Sequence, residues 1–305
     1  MDSQILISIG IPTYNSESYI IETLESVRIQ EYKNIELVIV DDRSTDQTFD
    51  IVEKWLWSSG LTYFLGRNDR NLGVVGTCNA IVNHVRGDYY QILGADDIIY
   101  PHKLKNQLDL FKRQSEQCAM VFSNVDVIDD IGNLICDDYF AERNYDAFSM
   151  PSGQIFVDLL RENFIPAVGV LVKTSIAKKF MPYDETLAFE DYDLWLKLAK
   201  DHLIVHCPIK AGAYRRRAGS IMHQTKSRYE VMASTLFCLT KYEGISEIGD
   251  DLIATKIYNL TPALYRFKHR SAKHWVKEMW LRRKTVKSTV YLIISILGIP
   301  LRMLK

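Results

Sequence analysis

The chain has 305 residues, 47% hydrophobic and 25% charged, with a formal charge of −1. That composition excludes a disordered or collagen-like chain, and five scattered cysteines without a CxxC pair exclude a disulfide framework and a zinc-finger spacing, fitting a reducing cytosol. The charge is unevenly placed: residues 262–305 carry eleven Lys/Arg against one acid, Glu278, a net of +10 that leaves the rest at −11.

The amino terminus, MDSQILISIG, has no basic region ahead of its apolar run, so no secretory signal is expected. Short apolar runs then predict buried parallel strands at 5–11 (ILISIGI), 35–40 (IELVIV), 89–93 (YYQIL) and 119–125 (AMVFSNV). Helical patterns lie between them. Residues 16–30 open with a Ser cap and carry Ile20, Leu24 and Val27 at helical spacing. Residues 45–60 have Thr45 as the cap candidate and Gly60 beyond the end, and 76–89 make a shorter helix stopped by Gly87. This alternation predicts an α/β domain with a mostly parallel sheet. Residues 126–165 are acidic and irregular, predicting a hairpin and loop. A strand follows at 169–175, an amphipathic helix at 190–202 with Leu194, Trp195 and Leu198 inward, a strand over 203–217, and helices from about 225.

Four polar stretches fall at or near strand carboxyl ends, where ligands sit on open α/β sheets. In IPTYN (11–15), Pro12 stiffens the exit and Thr13 and Asn15 can hydrogen-bond a polar ligand; a plain turn would look the same. In VDDRSTDQT (40–48), an acid can accept from a base or ribose, or Asp42 or Asp46 can simply cap the next helix. In RNLGVVGTCN (70–79), Asn71 and Gly73 suggest a tight turn. In LGADDIIYP (93–101), Asp96 and Asp97 can hold a hard divalent cation beside phosphate oxygens, or form a solvated turn before a helix. A fifth stretch, YDETLAFEDYDLWLKLA (183–199), puts Glu190 and Asp191 at a helix start, where acids are also ordinary.

These stretches, in this order, resemble the inverting family 2 glycosyltransferases over residues 5 to 220. The resemblance implies a Rossmann-like, mostly parallel sheet flanked by helices, the glycosyltransferase A fold. A catalytic domain at 1–222 would hold a nucleotide-sugar half (about 1–125) and an acceptor half (126–222). A helical, basic region at 223–305 would follow. Pro12, Thr13, Tyr14 and Asn15 would line the nucleotide pocket. Asp41 would meet the base, with Asp42 beside it, and Asn71 and Gly73 would shape the adjoining loop. Asp96 and Asp97 would bind Mg2+ or Mn2+ on the donor diphosphate, neutralising the leaving group. Asp191 would be the catalytic base, with Glu190 the neighbouring alternative. The activity implied is an inverting, metal-dependent hexosyltransferase using a nucleotide-diphosphate sugar and a glycan or lipid-linked acceptor, in bacterial surface polysaccharide (O-antigen or capsule) biosynthesis.

The chain departs from the family pattern in places. Gly94 stands where an acid is frequent, so a weaker metal dependence is expected. Thr77-Cys78-Asn79 replaces a segment with a basic residue. Arg217 stands where a His is frequent, with His223 further on; Arg215, Arg216 and Arg217 could contact diphosphate, solvent or membrane. His206 is expected in the core or at an edge. In the tail, residues 265–287 interleave Trp275, Met279, Trp280 and Leu281 with cations, and a short apolar stretch (289–301) follows, too short to span a bilayer. This predicts a peripheral location on the inner, anionic face of the cell membrane. Nucleic acid is not expected, since it leaves the apolar end unexplained. A nucleotidyltransferase would want a Gly-rich basic loop in place of PTYNSES, and a non-catalytic sugar-nucleotide-binding or scaffold protein is the other rival.

Overall fold

The computed structural model describes residues 5–146, 149–217 and 225–298; His223 and the chain end after Gly298 lie outside them. The chain divides into two compact units, one of residues 1–159, 163–185 and 190–218, the other of 160–162, 186–189 and 219–305.

The first unit is built on a nine-stranded sheet. β1 (Ile7–Thr13), β2 (Ile35–Asp41), β3 (Thr62–Arg67) and β4 (Tyr89–Ile92) run parallel in the order β3-β2-β1-β4. Every residue of β2 is buried, as is expected of an inner strand covered on both faces. β3 was not foreseen: as the half-exposed edge strand it lacks the continuous apolar signature of its neighbours. Beyond β4 the sheet becomes mixed. β8 (Val170–Lys173) runs antiparallel to both β4 and β6 (Cys118–Ile128), and β9 (Leu203–Arg215) is parallel to β6. β5 (Ile98–Ile99) pairs antiparallel with β9, and β7 (Leu134–Cys136) forms the expected hairpin with the end of β6.

The first two helices start later than predicted. α1 is Ile20–Arg28 and α2 is Thr48–Ser59; neither has a side-chain cap at its first flanking residue, so Ser16 and Thr45 are not caps. Asp46 takes that duty for α2, accepting the Thr48 amide at 3.0 Å. α3 is Gly73–Val82 rather than 76–89. It lies close on β1 because Gly10 has no side chain: a Cβ there would stand 2.5 Å from Ile81. α4 (Lys103–Phe111), α5 (Phe156–Arg161), the one-turn α6 (Thr174–Ala177) and α7 (Asp191–Asp201) complete the set, with Leu194, Trp195 and Leu198 of α7 buried as predicted.

A buried polar cluster fixes the turn into β8. The Lys103 ammonium, fully buried, donates to Gln91 Oε1 at 2.6 Å and to the Val170 carbonyl at 2.8 Å. Gln91 and Gln107 donate to the carbonyls of Val168 (2.9 Å) and Gly169 (2.7 Å). Each orphan carbonyl of the turn is thereby paired, which a buried irregular segment requires. Burial lowers Lys103 to about 7, because a charged ammonium is poorly solvated there.

The second unit is helical: α8 (Thr225–Thr240), α9 (Glu247–Arg266), α10 (Ala272–Arg282) and α11 (Val286–Leu297). Trp275, Val276 and Met279 of α10 are buried among these helices, with the Trp275 ring 4.7 Å from that of Phe237. This corrects the expectation that Trp275 and Met279 face a membrane. No described helix is long and apolar enough to cross one.

Candidate active site

The parallel strands deliver their last residues side by side: Thr13, Asp41 and Arg67 are in register across β1, β2 and β3. The Thr13 hydroxyl donates to Asp41 Oδ2 at 3.2 Å. Ser44 donates its amide (3.0 Å) and hydroxyl (2.5 Å) to the same carboxylate, and Arg67 Nε lies 3.1 Å from Oδ1. All four acceptor directions of Asp41 are therefore taken within the protein, and the Thr13 hydroxyl proton is committed to it. Asn15 is held to the same turn: its Oδ1 accepts the Thr45 backbone N–H at 2.9 Å and its own backbone N–H donates to Ser44 Oγ at 3.0 Å. Asn15 and Arg43 both have positive φ, 47° and 66°, backbone strain of the kind held at binding sites. Of the 12–15 stretch, Tyr14 is exposed and Pro12 is half-buried.

Asp42 does a different job from the helix cap considered for it. It caps α3 rather than α2, accepting the amides of Leu72 (2.7 Å) and Gly73 (2.8 Å) and the Asn68 side chain (2.8 Å). These three donors leave one acceptor direction open. Asn71 and Gly73 shape this loop as expected: Asn71 donates to the Asp42 carbonyl at 3.3 Å, and Gly73 starts the helix with φ 76°.

β4 leads into Gly94-Ala95-Asp96-Asp97. Asp97 Oδ1 accepts the Arg215 amide at 2.9 Å, and Asp96 Oδ2 lies 2.6 Å from Arg217 Nε, an ion pair whose N–H is not aligned as a hydrogen bond. The other two oxygens converge. A Cβ on Gly94 would stand 2.9 Å from Asp97 Oδ2 and 3.1 Å from Asp96 Oδ1. Burial raises both carboxyls above the usual range, and the charge of Asp96 raises Asp97 further. Two inward oxygens that repel one another in a cradle without a side chain suit a hard divalent cation completed by phosphate oxygens and water. No group of three or more candidate ligands exists among the described residues, so the cradle offers two carboxylates only. Arg215 holds it from behind, donating to the carbonyls of Asp96 (2.9 Å) and Asp129 (3.0 Å) and pairing with Glu22 at 2.5 Å.

Glu190 and Asp191 open α7 beside a narrow cavity lined by Tyr90, Ala167, Val170, Tyr183 and Trp195. Asp191 Oδ1 accepts the Tyr192 amide at 2.6 Å, leaving Oδ2 for a ligand. Burial raises both acids, and the charge of Asp191 also pushes Glu190 up, to about 8. The approach to this pair is pinned by Asn79, which accepts the Tyr183 amide (2.7 Å) and donates to the Tyr183 carbonyl (3.1 Å) and Glu185 (3.0 Å). Cys78, next to it, is buried within electrostatic reach of Glu190, Asp191 and Asp42. The Tyr139 and Tyr214 rings meet edge-on at 6.2 Å; Tyr214 feels the charges of Asp96 and Asp97 and Tyr139 that of Asp191. The structure thus gathers Asp42, Asp96, Asp97, Glu190 and Asp191 at one end of the sheet. Arg67, Asn68 and Asn79 were missed by sequence reasoning. The first two end an unrecognised strand, and Asn79 was weighed only as the end of a motif lacking its basic residue. His206 sits against the Phe122 and Phe140 rings, as expected.

The family described as "Glycosyl transferase family 2" matches residues 8–140. A UDP-Glc:alpha-D-GlcNAc-diphosphoundecaprenol beta-1,3-glucosyltransferase, WfaP of Escherichia coli, is 30% identical over 221 residues, 71% of this chain and 79% of that protein. An uncharacterized glycosyltransferase of Rickettsia typhi is 28% identical over 248 residues, 79% and 74% of the two chains. Among solved structures, S. aureus TarS 1–349 with UDP-GlcNAc superposes with a TM-score of 0.65 at 20% identity, covering 90% of this chain and 79% of that one. A Pyrobaculum calidifontis mannosyltransferase, in complex with GDP-Man and Mn2+, gives 0.59 at 15% identity, covering 98% and 88%.

Proposed function

This chain belongs to glycosyltransferase family 2, and we propose that it transfers a hexosyl group, with inversion, from a nucleotide-diphosphate sugar to a hydroxyl of a lipid-linked glycan in surface polysaccharide synthesis. The observation that carries this reading is the placement of two raised acid pairs, Asp96/Asp97 and Glu190/Asp191, at the same end of the sheet. The lipid-linked acceptor is supported by the similarity to WfaP, which acts on such a substrate.

Asp96 and Asp97 would hold Mg2+ or Mn2+ through the oxygens facing Gly94, and the bound ion would supply charge neutralisation for a departing nucleoside diphosphate. Asp42, with one acceptor direction open, is better placed than the saturated Asp41 to receive a donor N–H of the base or a ribose hydroxyl. Tyr14 offers an exposed ring to the base. The acceptor hydroxyl gives its proton to Asp191 Oδ2 as its oxygen attacks the anomeric carbon. The bond to the diphosphate oxygen breaks in the same displacement, and the configuration inverts. Glu190, protonated at neutral pH, leaves a single negative charge on the pair, which the amino end of α7 favours. A peripheral site on the inner membrane face would bring the enzyme to its acceptor.

The test is Asp191→Asn with a thermal-shift screen of nucleotide sugars and Mn2+. Lost transfer with donor binding kept supports the assignment; unchanged turnover overturns it. The anomeric coupling constant of the product, read by NMR, decides inversion against retention.

A further inference from the structure

The last described helix has an outward half with no charge on it. Thr285 and Ser288 form a reciprocal cap at its start, and Gly298 ends it at φ 68°, so its twelve residues are a committed helix. Ser288, Ile294 and Ser295 turn inward and are buried. The opposite face carries Val286 (84% exposed), Val290 (42%), Ile293 (50%) and Leu297 (64%) at helical spacing, with Ile296 (75%) beside them. An ordinary solvent face at these positions would be Lys and Glu.

We infer that this face of α11 (Val286, Val290, Ile293, Ile296, Leu297) seats the protein in the surface of an anionic lipid bilayer. At about 18 Å the helix is too short to span, and long enough to lie in the interface. Charge at its amino end is complementary to anionic headgroups: Lys284 lies over the Trp280 ring at 5.3 Å and Lys287 over the Tyr258 ring at 4.6 Å. Cation–aromatic pairs of this kind suit the boundary between headgroups and acyl chains. The surrounding segment is strongly basic, and each lysine near an anionic surface adds to the attraction. A second copy of the chain is the poorer occupant. Five side chains on so short a helix fall well below the ~800 Å2 per partner of a stable protein pair.

The inference deepens the proposal of a lipid-linked acceptor and rests on it; it narrows the expected membrane contact of the tail to α11, since Trp275 and Met279 of α10 are buried. The test is flotation of the full chain with vesicles of equimolar phosphatidylglycerol and phosphatidylcholine. Wild type is expected to float. The triple variant Val290→Ser, Ile293→Ser, Leu297→Ser is expected to lose at least about tenfold in partition, with its thermal melt unchanged because the three side chains are exposed. Lys284→Gln and Lys287→Gln are expected to cost about fivefold each on these vesicles and nothing on pure phosphatidylcholine. A wild type that stays at the bottom, or a triple variant that floats equally, overturns the inference. So does a dimer in sedimentation velocity that the triple variant abolishes without any flotation. Donor hydrolysis in vesicle-free buffer reports the transferase reading separately. Its persistence with failed flotation overturns the docking surface alone.

Discussion

Replacing Glu190 and Asp191 separately, each by its amide, tests whether two adjacent acids divide one job. Burial raises both, and the Asp191 charge holds Glu190 up at about 8, so at pH 7 Glu190 is about nine-tenths protonated. Glu190→Gln then copies the form already present, and kcat/KM at pH 7 is expected to stay within about threefold. Asp191→Asn removes the oxygen that takes the proton and is expected to cost about 10²- to 10⁴-fold. Stability gives a second readout with a definite sign. A carboxyl whose folded value is about 8 and whose ordinary value is 4.5 binds its proton more tightly when folded. Its stabilising contribution is complete below pH 4.5 and is lost as pH rises through 8. At ~1.4 kcal/mol per pH unit, the loss reaches up to about 5 kcal/mol. Glu190→Gln does not titrate, so it is expected to match wild type near pH 4.5 and to exceed it progressively toward pH 8 and above. Urea denaturation across that range, run beside a pH–rate profile, measures both. The reasoning fails if the stability difference is flat with pH, or if Glu190→Gln is as inactive as Asp191→Asn.

Three further outcomes follow from the site. Asn79→Ala removes the three side-chain bonds from Asn79 to Tyr183 and Glu185; it is expected to cost about 1–3 kcal/mol of stability and to lower kcat more than it raises the donor KM, and equal kcat would deny Asn79 a positioning role. Gly94→Asp forces a Cβ to 2.9 Å from Asp97 Oδ2, so the melting temperature without metal is expected to fall and the rise on adding Mn2+ to exceed that of wild type; an equal Mn2+ response would refute the two-oxygen cradle. Arg217→Gln frees Asp96 Oδ2 from its ion pair and is expected to tighten Mn2+ binding about two- to tenfold by electron paramagnetic resonance; unchanged affinity would mean that the guanidinium does not compete with the ion.

Much of the first unit was legible because a parallel strand covered on both faces must be apolar throughout. β1, β2, β4 and β6 stand out by their apolar runs, and the acids of VDD, ADD and EDYD stand out by interrupting apolar runs. What was not legible shares one cause. β3 is half-exposed and has no pattern of its own, so Arg67 and Asn68 had no strand end to belong to. Asn79 is one polar residue on a helix until its partners, more than a hundred positions away, are known.

By itself, then, the order of residues determined the α/β class, the five motifs and the basic tail. These follow from local periodicity and from which side chains tolerate burial. Only the tertiary structure decided what each acid is free to do. Asp41 is saturated by Thr13, Ser44 and Arg67, while Asp42 keeps one acceptor direction. Gly94 proved to be the space into which Asp96 and Asp97 turn rather than a missing ligand alone, and the apolar face left open was that of α11, not α10. The reason is physical: a carboxylate's role depends on how many donors already reach it, and those donors come from elements that meet only when the chain folds.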